Sequence, residues 1–225
     1  MNPSQFIVPI FAVDEEGNIE RFLGTGSFVG DPPLLLTADH VVRDCRDVIA
    51  VAVFPKLDHL YRASLVVREA ASDLALLRVP GYLPPSVLRV LAGQPIHPNQ
   101  TVVTFEYGPT RTLGREIKVS PATRMGNVTR VFDLTDLYGI AGDEALELSF
   151  PALRGASGAP VMTNSDNALL GVIKANISYH LLPAQIETVL REDGEVSEET
   201  QFMMPQAIAV NVKHVRRLLD TVPPT

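Results

Sequence analysis

Residues 153–161 read Leu153-Arg154-Gly155-Ala156-Ser157-Gly158-Ala159-Pro160-Val161. Two glycines flank the serine, and glycine adopts backbone conformations closed to other residues, so the chain can turn sharply here and expose the hydroxyl. The same turn can direct the backbone amides of Gly155 and Ser157 toward one point, where they would stabilise a negatively charged oxygen. A structural turn before a strand explains the same residues, because turns are rich in small side chains. The stretch alone therefore leaves both interpretations open.

Two upstream motifs favour the catalytic interpretation. His40 comes just after an apolar run at residues 34–36, and Asp73 stands at the start of another at residues 74–77. A histidine, an aspartate and a serine in this chain order match chymotrypsin, whereas subtilisin and the α/β-hydrolases use other orders. The three residues together predict a catalytic triad.

These motifs make the chain resemble the trypsin/chymotrypsin-like serine peptidases, and most closely the bacterial branch with HtrA-type and glutamyl-endopeptidase-type enzymes. The motifs that carry the resemblance are Gly24-Thr25-Gly26-Ser27-Phe28-Val29, Leu36-Thr37-Ala38-Asp39-His40-Val41, Ser72-Asp73-Leu74-Ala75-Leu76-Leu77 and Gly155-Ala156-Ser157-Gly158-Ala159-Pro160. A fifth match is Ala207-Ile208-Ala209-Val210-Asn211, which a helical pattern follows. The matches span most of the chain. The resemblance implies two six-stranded β-barrels and the hydrolysis of peptide bonds.

Composition agrees with a β-rich fold. A chain of 225 residues suits one domain or two small fused ones, and at 46% hydrophobic residues it can bury a substantial core. Its 18 prolines and 15 glycines, set between runs of valine, isoleucine and leucine, favour short strands joined by tight turns. The sequence pattern predicts an all-β fold, and the resemblance specifies a chymotrypsin-like double β-barrel with a C-terminal helix.

The predicted organisation has four parts. An N-terminal β-barrel over residues 1–82 carries His40 and Asp73, and a proline-rich connector follows at 83–98. A C-terminal β-barrel over 99–210 carries Ser157, and a helix and tail occupy 211–225. Asn211 can cap a helix from Val212 to Leu219, in which Val215, Leu218 and Leu219 share one apolar face.

The resemblance assigns a role to each residue of the triad. Ser157 is the nucleophile, His40 is the general base because imidazole exchanges protons near neutral pH, and Asp73 orients the imidazole. The amides of Gly155 and Ser157 form the oxyanion hole. Each residue also has an ordinary structural explanation. His40 could be a core histidine, Asp73 could cap a turn, and Ser157 could be a loop serine without a catalytic role. Because all three occur together in matching contexts, we predict a working triad.

The resemblance also implies where the substrate side chain before the scissile bond, P1, is bound. The predicted substrate-binding residues are Lys174, Ala175 and Asn176 on one wall and Ala152 and Leu153 near the floor. The floor segment, residues 149–153, contains no carboxylate to pair with a basic P1 side chain. Ile173 stands where glutamyl endopeptidases tend to carry a histidine. We therefore expect a small or apolar P1 residue. If residues 174–176 form the pocket wall as the resemblance implies, Lys174 would also lie near Asp73.

Two residues beside the triad depart from the family pattern. Ala156 stands where zymogen-type trypsins keep an aspartate that binds the freed N-terminus, so we expect no activation by N-terminal cleavage. Asp39, next to His40, is predicted to cap the turn that follows.

The segment between the pocket wall and the last predicted strand, residues 176–202, is long for a hairpin connection. Pro183 suits the first position of a helix, and Ile186, Val189 and Leu190 then share one apolar face. We predict a short helix that borders the P1 pocket as a lid, followed by a solvated acidic run at 192–199. A surface insertion without function is the alternative.

Charge and composition exclude several classes of function. A net charge of −7 and a pI of about 5.2 provide no basic stripe for nucleic acid. The single cysteine, Cys45, rules out an intrachain disulfide. The N-terminus lacks a basic start followed by an apolar stretch, and no apolar run approaches the length of a membrane span. We expect a cytoplasmic location, no membrane partner, no metal and no cofactor.

The sequence therefore predicts a regulated intracellular serine endopeptidase that acts on proteins or peptides. The alternative is a weak or inactive trypsin-like module that binds peptides or serves as a domain of a larger signalling or defence protein. Fusion to, or association with, a regulatory domain is compatible with the tail at residues 222–225.

Overall fold

The structure is a computed structural model that describes residues 2–53, 56–91, 93–113, 116–133, 144–191 and 194–223. Within these ranges, side chains are described except at 56–58, 111–113, 116, 180–191 and 194–203.

The first six strands close into a barrel in the order β1-β2-β3-β6-β5-β4. They are β1 (Ile7–Val13), β2 (Ile19–Val29), β3 (Leu34–Ala38), β4 (Val48–Val53), β5 (Lys56–Glu69) and β6 (Leu74–Arg78). A 3-10 helix, Pro3–Gln5, precedes the barrel, and the short helix α1 (Asp39–Val42) follows β3. Strand β1 is buried along its whole length, which explains its continuous run of apolar residues.

A second closed barrel follows the short strand β7 (Arg89–Val90). Its strands are β8 (Thr101–Leu113), β9 (Glu116–Asp133), β10 (Glu144–Leu148), β11 (Pro160–Thr163), β12 (Ala168–Arg191) and β13 (Gly194–Asn211). Strand β11 pairs with both β8 and β12, and this closes the ring, while β7 lies parallel to β12. The predicted all-β, chymotrypsin-like double barrel is confirmed.

One apolar cluster contains residues of both barrels. The largest buried cluster contains Leu35 and Leu76 from the first barrel together with Leu169 and Val210 from the second. Because buried side chains are close-packed, this cluster determines how the barrels sit against each other: a shift of either would open voids.

The helix α2 (Val212–Asp220) is the last element of the described chain and packs on this shared cluster through Val215 and Leu218. The Asn211 side chain accepts a hydrogen bond from the amide of Lys213 at 3.0 Å, so the predicted cap is confirmed. Neither helix in the described ranges is long and apolar enough to cross a membrane.

The predicted lid helix near Pro183 is wrong. Strands β12 and β13 continue as a long antiparallel ribbon that pairs Gln185 with Thr200 and Arg191 with Gly194. The register shifts between Leu181 and Gln185, where the proline has no N–H to contribute to the ladder. The apolar spacing of this segment suits a helix, but the neighbouring strand satisfies its backbone and overrides local propensity. Residues 192 and 193 of the acidic run lie outside the described residues.

The predicted cap role of Asp39 is also wrong. The residue that precedes α1 is Ala38, whose side chain makes no capping hydrogen bond. Asp39 is the first helical residue, so its carboxylate lies one position too late to cap the first turn. The side chain is buried, and its Oδ1 atom lies 3.9 Å from Nε of Arg68.

An ion pair lies on the inward face of β8 in the second barrel. Glu106 shares this face with Val102 and Thr104, and its Oε1 atom accepts a 2.8 Å hydrogen bond from Nε of Arg124. The Oε2 atom has no partner among the described residues. Burial raises the pKa of Glu106 above its usual value, although Arg124 opposes the shift.

The raised pKa predicts how Glu106 affects stability. The folded protein holds this proton more tightly than the unfolded chain, so the stabilisation is present below pH 4.5, the usual carboxyl pKa, and is lost as the pH rises through the folded-state value. Glutamine does not titrate. We expect the unfolding free energy of Glu106→Gln, relative to wild type, to increase from about pH 4 to pH 7 in urea titrations.

The exposed Glu20→Gln is the control, because it removes a carboxylate that is not buried. A stability difference between Glu106→Gln and wild type that stays constant over this pH range would contradict the prediction.

Candidate active site

Strand pairing brings His40 and Asp73 together. Ala38 of β3 pairs with Leu74 of β6, and the two functional residues lie just beyond these positions. The Asp73 Oδ2 atom is 2.7 Å from Nδ1 of His40, and Oδ1 accepts the backbone N–H of His40 at 2.9 Å. The backbone carbonyl of Asp73 accepts the N–H of Asp39, also at 2.9 Å. The start of α1 is thus held to Asp73 at three points.

These contacts select one tautomer of the neutral imidazole. Because the carboxylate can only accept, Nδ1 of His40 carries the proton and Nε2 is left with a free lone pair. The Asp73 side chain is only 9% exposed and that of His40 is 32% exposed, so the anion is screened from water while the ring remains partly accessible. Asp73 has a positive φ of 57°, a conformation that aspartate and asparagine tolerate better than most residues.

The loop that carries Ser157 lies directly against the first barrel. Ser157 O accepts the amide of Thr25 at 3.0 Å, and the amide of Gly158 donates to Ile173 O on β12 at 2.8 Å. Gly158 has φ +82°, and a Cβ there would lie 2.2 Å from Thr25 O. Gly155 has φ +96°, and a Cβ there would lie 2.4 Å from Tyr107 O. Only glycine fits at either position, which explains why two glycines flank the serine.

Thr25 is the junction between both barrels and this loop. Its hydroxyl donates to Gly155 O at 2.8 Å and accepts the amide of Tyr107 on β8 at 3.0 Å. Its backbone carbonyl accepts the hydroxyl of Thr37 on β3 at 2.8 Å. The residue is completely buried. The sequence does not predict this role, since it shows only a small polar residue between two glycines.

The amides of Gly155 and Ser157 are available to an outside acceptor. Neither donates a hydrogen bond to any residue that the structure describes. A Cβ on Gly108 would lie 3.3 Å from Arg154 O, so this carbonyl faces β8. The N–H of Gly155 belongs to the same peptide group and therefore points the opposite way.

The hydroxyl of Ser157 makes no hydrogen bond with another residue in the described ranges, and the side chain is partly exposed. Catalytic hydrogen bonds in substrate-free enzymes are often long and tighten when substrate binds.

The five predicted substrate-binding residues fall into three groups. Asn176 and Ala152 are joined by two hydrogen bonds of 2.8 Å, from the Ala152 amide to Asn176 Oδ1 and from Asn176 Nδ2 to Ala152 O. Lys174 and Ala175 line a groove beside His40. Leu153 is 52% exposed. Lys174 and Asp73 both line this groove, and no ion pair joins them among the described residues.

Ala156 is fully buried in the apolar core of the second barrel, beside residues such as Val161 and Leu170. Its methyl group offers no acceptor for a buried ammonium group.

Comparison with protein families identifies one match. The model for the trypsin-like peptidase domain matches residues 24–172, a span that contains His40, Asp73 and Ser157. A comparison with curated protein sequences finds no significant match.

Solved structures with the same fold include three proteases. The active form of the Rv3671c protease from M. tuberculosis is 20% identical, with a TM-score of 0.62 over 99% of this chain and 83% of that one. The MamO protease domain from Magnetospirillum magneticum is 16% identical, with a TM-score of 0.61 over 96% of both chains. A serine endoprotease from Yersinia pestis is 17% identical, with a TM-score of 0.62 over 98% of this chain and 63% of that one. At these identities the likeness establishes the fold.

The contacts of Thr25 predict a large loss of stability when its hydroxyl is removed. Thr25→Val keeps the shape but leaves Gly155 O and the Tyr107 amide buried without this partner, at a cost of about 1–3 kcal/mol for each group. We expect a fall in unfolding free energy of about 2 kcal/mol or more in urea titrations.

Thr25→Ser keeps the hydroxyl and loses only a methyl group, so it should retain most of the unfolding free energy of the wild type. If the valine and serine variants unfold at the same urea concentration, the hydroxyl does not hold the junction.

Proposed function

The chain belongs to the family of trypsin-like peptidase domains, and on that premise we propose that it is a serine endopeptidase with Ser157 as nucleophile, His40 as general base and Asp73 as orienting carboxylate. The observation that carries the proposal is the pair of hydrogen bonds that Asp73 accepts from His40. Nδ1 of the ring lies 2.7 Å from Oδ2, and the backbone N–H donates to Oδ1 at 2.9 Å. It leaves Nε2 as the basic nitrogen of the ring on the side away from Asp73. Proteins and peptides are the substrates.

Acylation needs a base, because a serine hydroxyl is a weak nucleophile at neutral pH. As the Ser157 Oγ atom forms a bond to the scissile carbonyl carbon, its proton passes to Nε2 of His40. The negative carbonyl oxygen then accepts hydrogen bonds from the amides of Gly155 and Ser157. His40 returns the proton to the departing amine, the C–N bond breaks, and an acyl-enzyme remains.

Deacylation repeats these roles with water. His40 removes a proton from the attacking water, whose oxygen bonds to the acyl carbon, and then returns the proton to Ser157 as the ester bond breaks. Asp73 stabilises the imidazolium formed in both halves and remains ionised throughout.

A peptide-binding module without catalytic activity is the second candidate. It is favoured by the Ser157 hydroxyl, which makes no hydrogen bond to any described residue. A fluorophosphonate probe separates the two functions, because it bonds covalently only to an activated serine.

The first test is Ser157→Ala. It should abolish covalent labelling by a fluorophosphonate and reduce peptide turnover on the order of 10⁶-fold, since the nucleophile is lost. The measurements are mass spectrometry of the labelled protein and hydrolysis of a fluorogenic peptide. Ser165→Ala, in the exposed turn between β11 and β12, is the matched control. Near wild-type turnover in Ser157→Ala would overturn the proposal, and an unlabelled wild type would favour the binding module.

The second test is Asp73→Asn. The backbone N–H of His40 would hold the asparagine oxygen where Oδ1 lies, so the amide N–H₂ would face Nδ1 of the ring. The ring would then carry its proton on Nε2 and lose its basic site, which predicts a fall in kcat of about 10⁴-fold.

Asp220→Asn is the control for this substitution, because Asp220 is exposed and pairs only with Arg216 in α2 among the described residues. Asparagine tolerates the positive φ at position 73, so circular dichroism should match the wild type. A loss of less than tenfold would mean that Asp73 does not orient the base.

The pair of hydrogen bonds between Ala152 and Asn176 supports a preference for small P1 side chains. The Ser157 loop and β12 are joined at Gly158 and Ile173 and again at Ala152 and Asn176. A side chain that enters between these segments needs van der Waals contact with both, about 3.5–4.0 Å on each face. The Asn176 amide already spans the gap at its outer end, which leaves room for a small group only.

The third test removes this bridge. Asn176→Gly should widen the slot and raise kcat/KM for a P1 phenylalanine peptide relative to a P1 alanine peptide by about tenfold or more. Asn164→Gly, in an exposed turn, is the matched control. An unchanged ratio in Asn176→Gly, measured on enzyme that still labels with fluorophosphonate, would show that the bridge does not limit P1 size.

A further inference from the structure

A groove opens beside the His40–Asp73 pair and is lined by residues from both barrels. Its volume is about 380 Å³, which is large enough for one or two amino-acid side chains. The lining residues are His40, Arg43, Ala70, Asp73, Lys174 and Ala175. Two of the six carry only a methyl group, so the space is left open to a side chain from another molecule.

The lining is cationic, although the chain as a whole has a net charge of −7. Arg43 contributes one positive charge from the first barrel, and Lys174 contributes another from the second. Asp73 is the only anion among the lining residues, and both of its oxygens are already bonded to His40. Arg43 makes an exposed 3.4 Å contact with Asp44, whose side chain is 87% exposed, so water screens that pair strongly.

Lys174 reaches the groove because of a bulge in β12. Ile173 pairs with Ala209 and Ala175 pairs with Ile208, so Lys174 has no cross-strand partner. A bulge of this kind redirects the side chain of the inserted residue. Lys174 is half-buried and forms no ion pair with another described residue. A partly desolvated ammonium group without a counter-ion favours the binding of an anion.

The adjacent backbone gives a substrate peptide its direction. Strand β12 pairs with β13 through residues 173–176, whereas its pairing with β11 ends at Val172. The edge of β12 that faces away from β13 is therefore unpaired after Ile173, whose carbonyl accepts the amide of Gly158. An extended peptide can add to such a free edge. Its side chains alternate, so when P1 enters the slot at Ala152 and Asn176, the preceding side chain, P2, turns toward the groove.

We propose that this groove binds an acidic side chain, aspartate or glutamate, at the P2 position of the substrate. The inference rests on the proposed function for the orientation of the peptide. The carboxylate pairs with the ammonium group of Lys174, and Arg43 adds a second, more exposed contact. The protease would therefore select sites at which an acidic residue precedes a small one.

Binding to the Ser157→Ala protein tests this without turnover. Two alanine-rich peptides that differ only in glutamate or glutamine before the P1 alanine are titrated by fluorescence anisotropy. We expect the glutamate peptide to bind about fivefold tighter or more at low salt, because a charged hydrogen bond is roughly twice as strong as a neutral one. The difference should shrink as salt is added.

Lys174→Met in the same background keeps the length of the side chain and removes its charge, so the ratio of the two affinities should fall to within about twofold. Arg43→Gln should reduce the ratio partly. Lys118→Met, at an exposed position on β9, should leave the ratio unchanged.

Equal binding of the two peptides, binding of neither, or an unchanged ratio in Lys174→Met would overturn the inference. Failure of the proposed function is recognised separately, because it would appear as wild-type protein that neither labels with fluorophosphonate nor hydrolyses the peptides.

Discussion

Thr25 holds the Ser157 loop to the first barrel while its hydroxyl also binds β8 of the second. The residue is completely buried, so water cannot replace these hydrogen bonds and each must be made by the protein. The loop approaches so closely that position 158 has no space for a Cβ. Directional bonds and steric exclusion together determine where a serine on one barrel lies relative to a histidine on the other.

The site combines a carboxylate that accepts hydrogen bonds on both oxygens with an ammonium group that has no counter-ion among the described residues. Asp73 is nearly buried, but its two oxygens and its carbonyl all accept hydrogen bonds from the first two residues of α1. These bonds compensate the carboxylate for lost water and fix the ring of His40. Lys174 lies in the same groove without a counter-ion among the described residues. The hydrogen bonds of Asp73 suit a group that must stay in place. The unpaired charge of Lys174 suits a group that binds an anion from another molecule.

Sequence reasoning succeeded where local and tertiary preferences agree. The apolar runs of β3 and β6 are buried, and the Asn211 cap needs only its own backbone neighbours. It failed where a distant partner decided the outcome. The spacing around Pro183 favours a helix, yet pairing with β13 makes the segment a strand. Asp39 has the right side chain for a cap but lies one residue inside the helix.

The sequence by itself determined the fold class, the family and the residues able to carry a proton, because motifs such as Gly155–Pro160 and the order of His40, Asp73 and Ser157 are local or sequential properties. Only the tertiary structure decided what joins these residues. Thr25 and Tyr107 are 82 positions apart and become partners because two barrels pack on one core. Likewise, the Asn176 bridge and the bulge that redirects Lys174 depend on strand register. Register is set by pairing and packing over the whole sheet, and no short stretch of sequence contains that information.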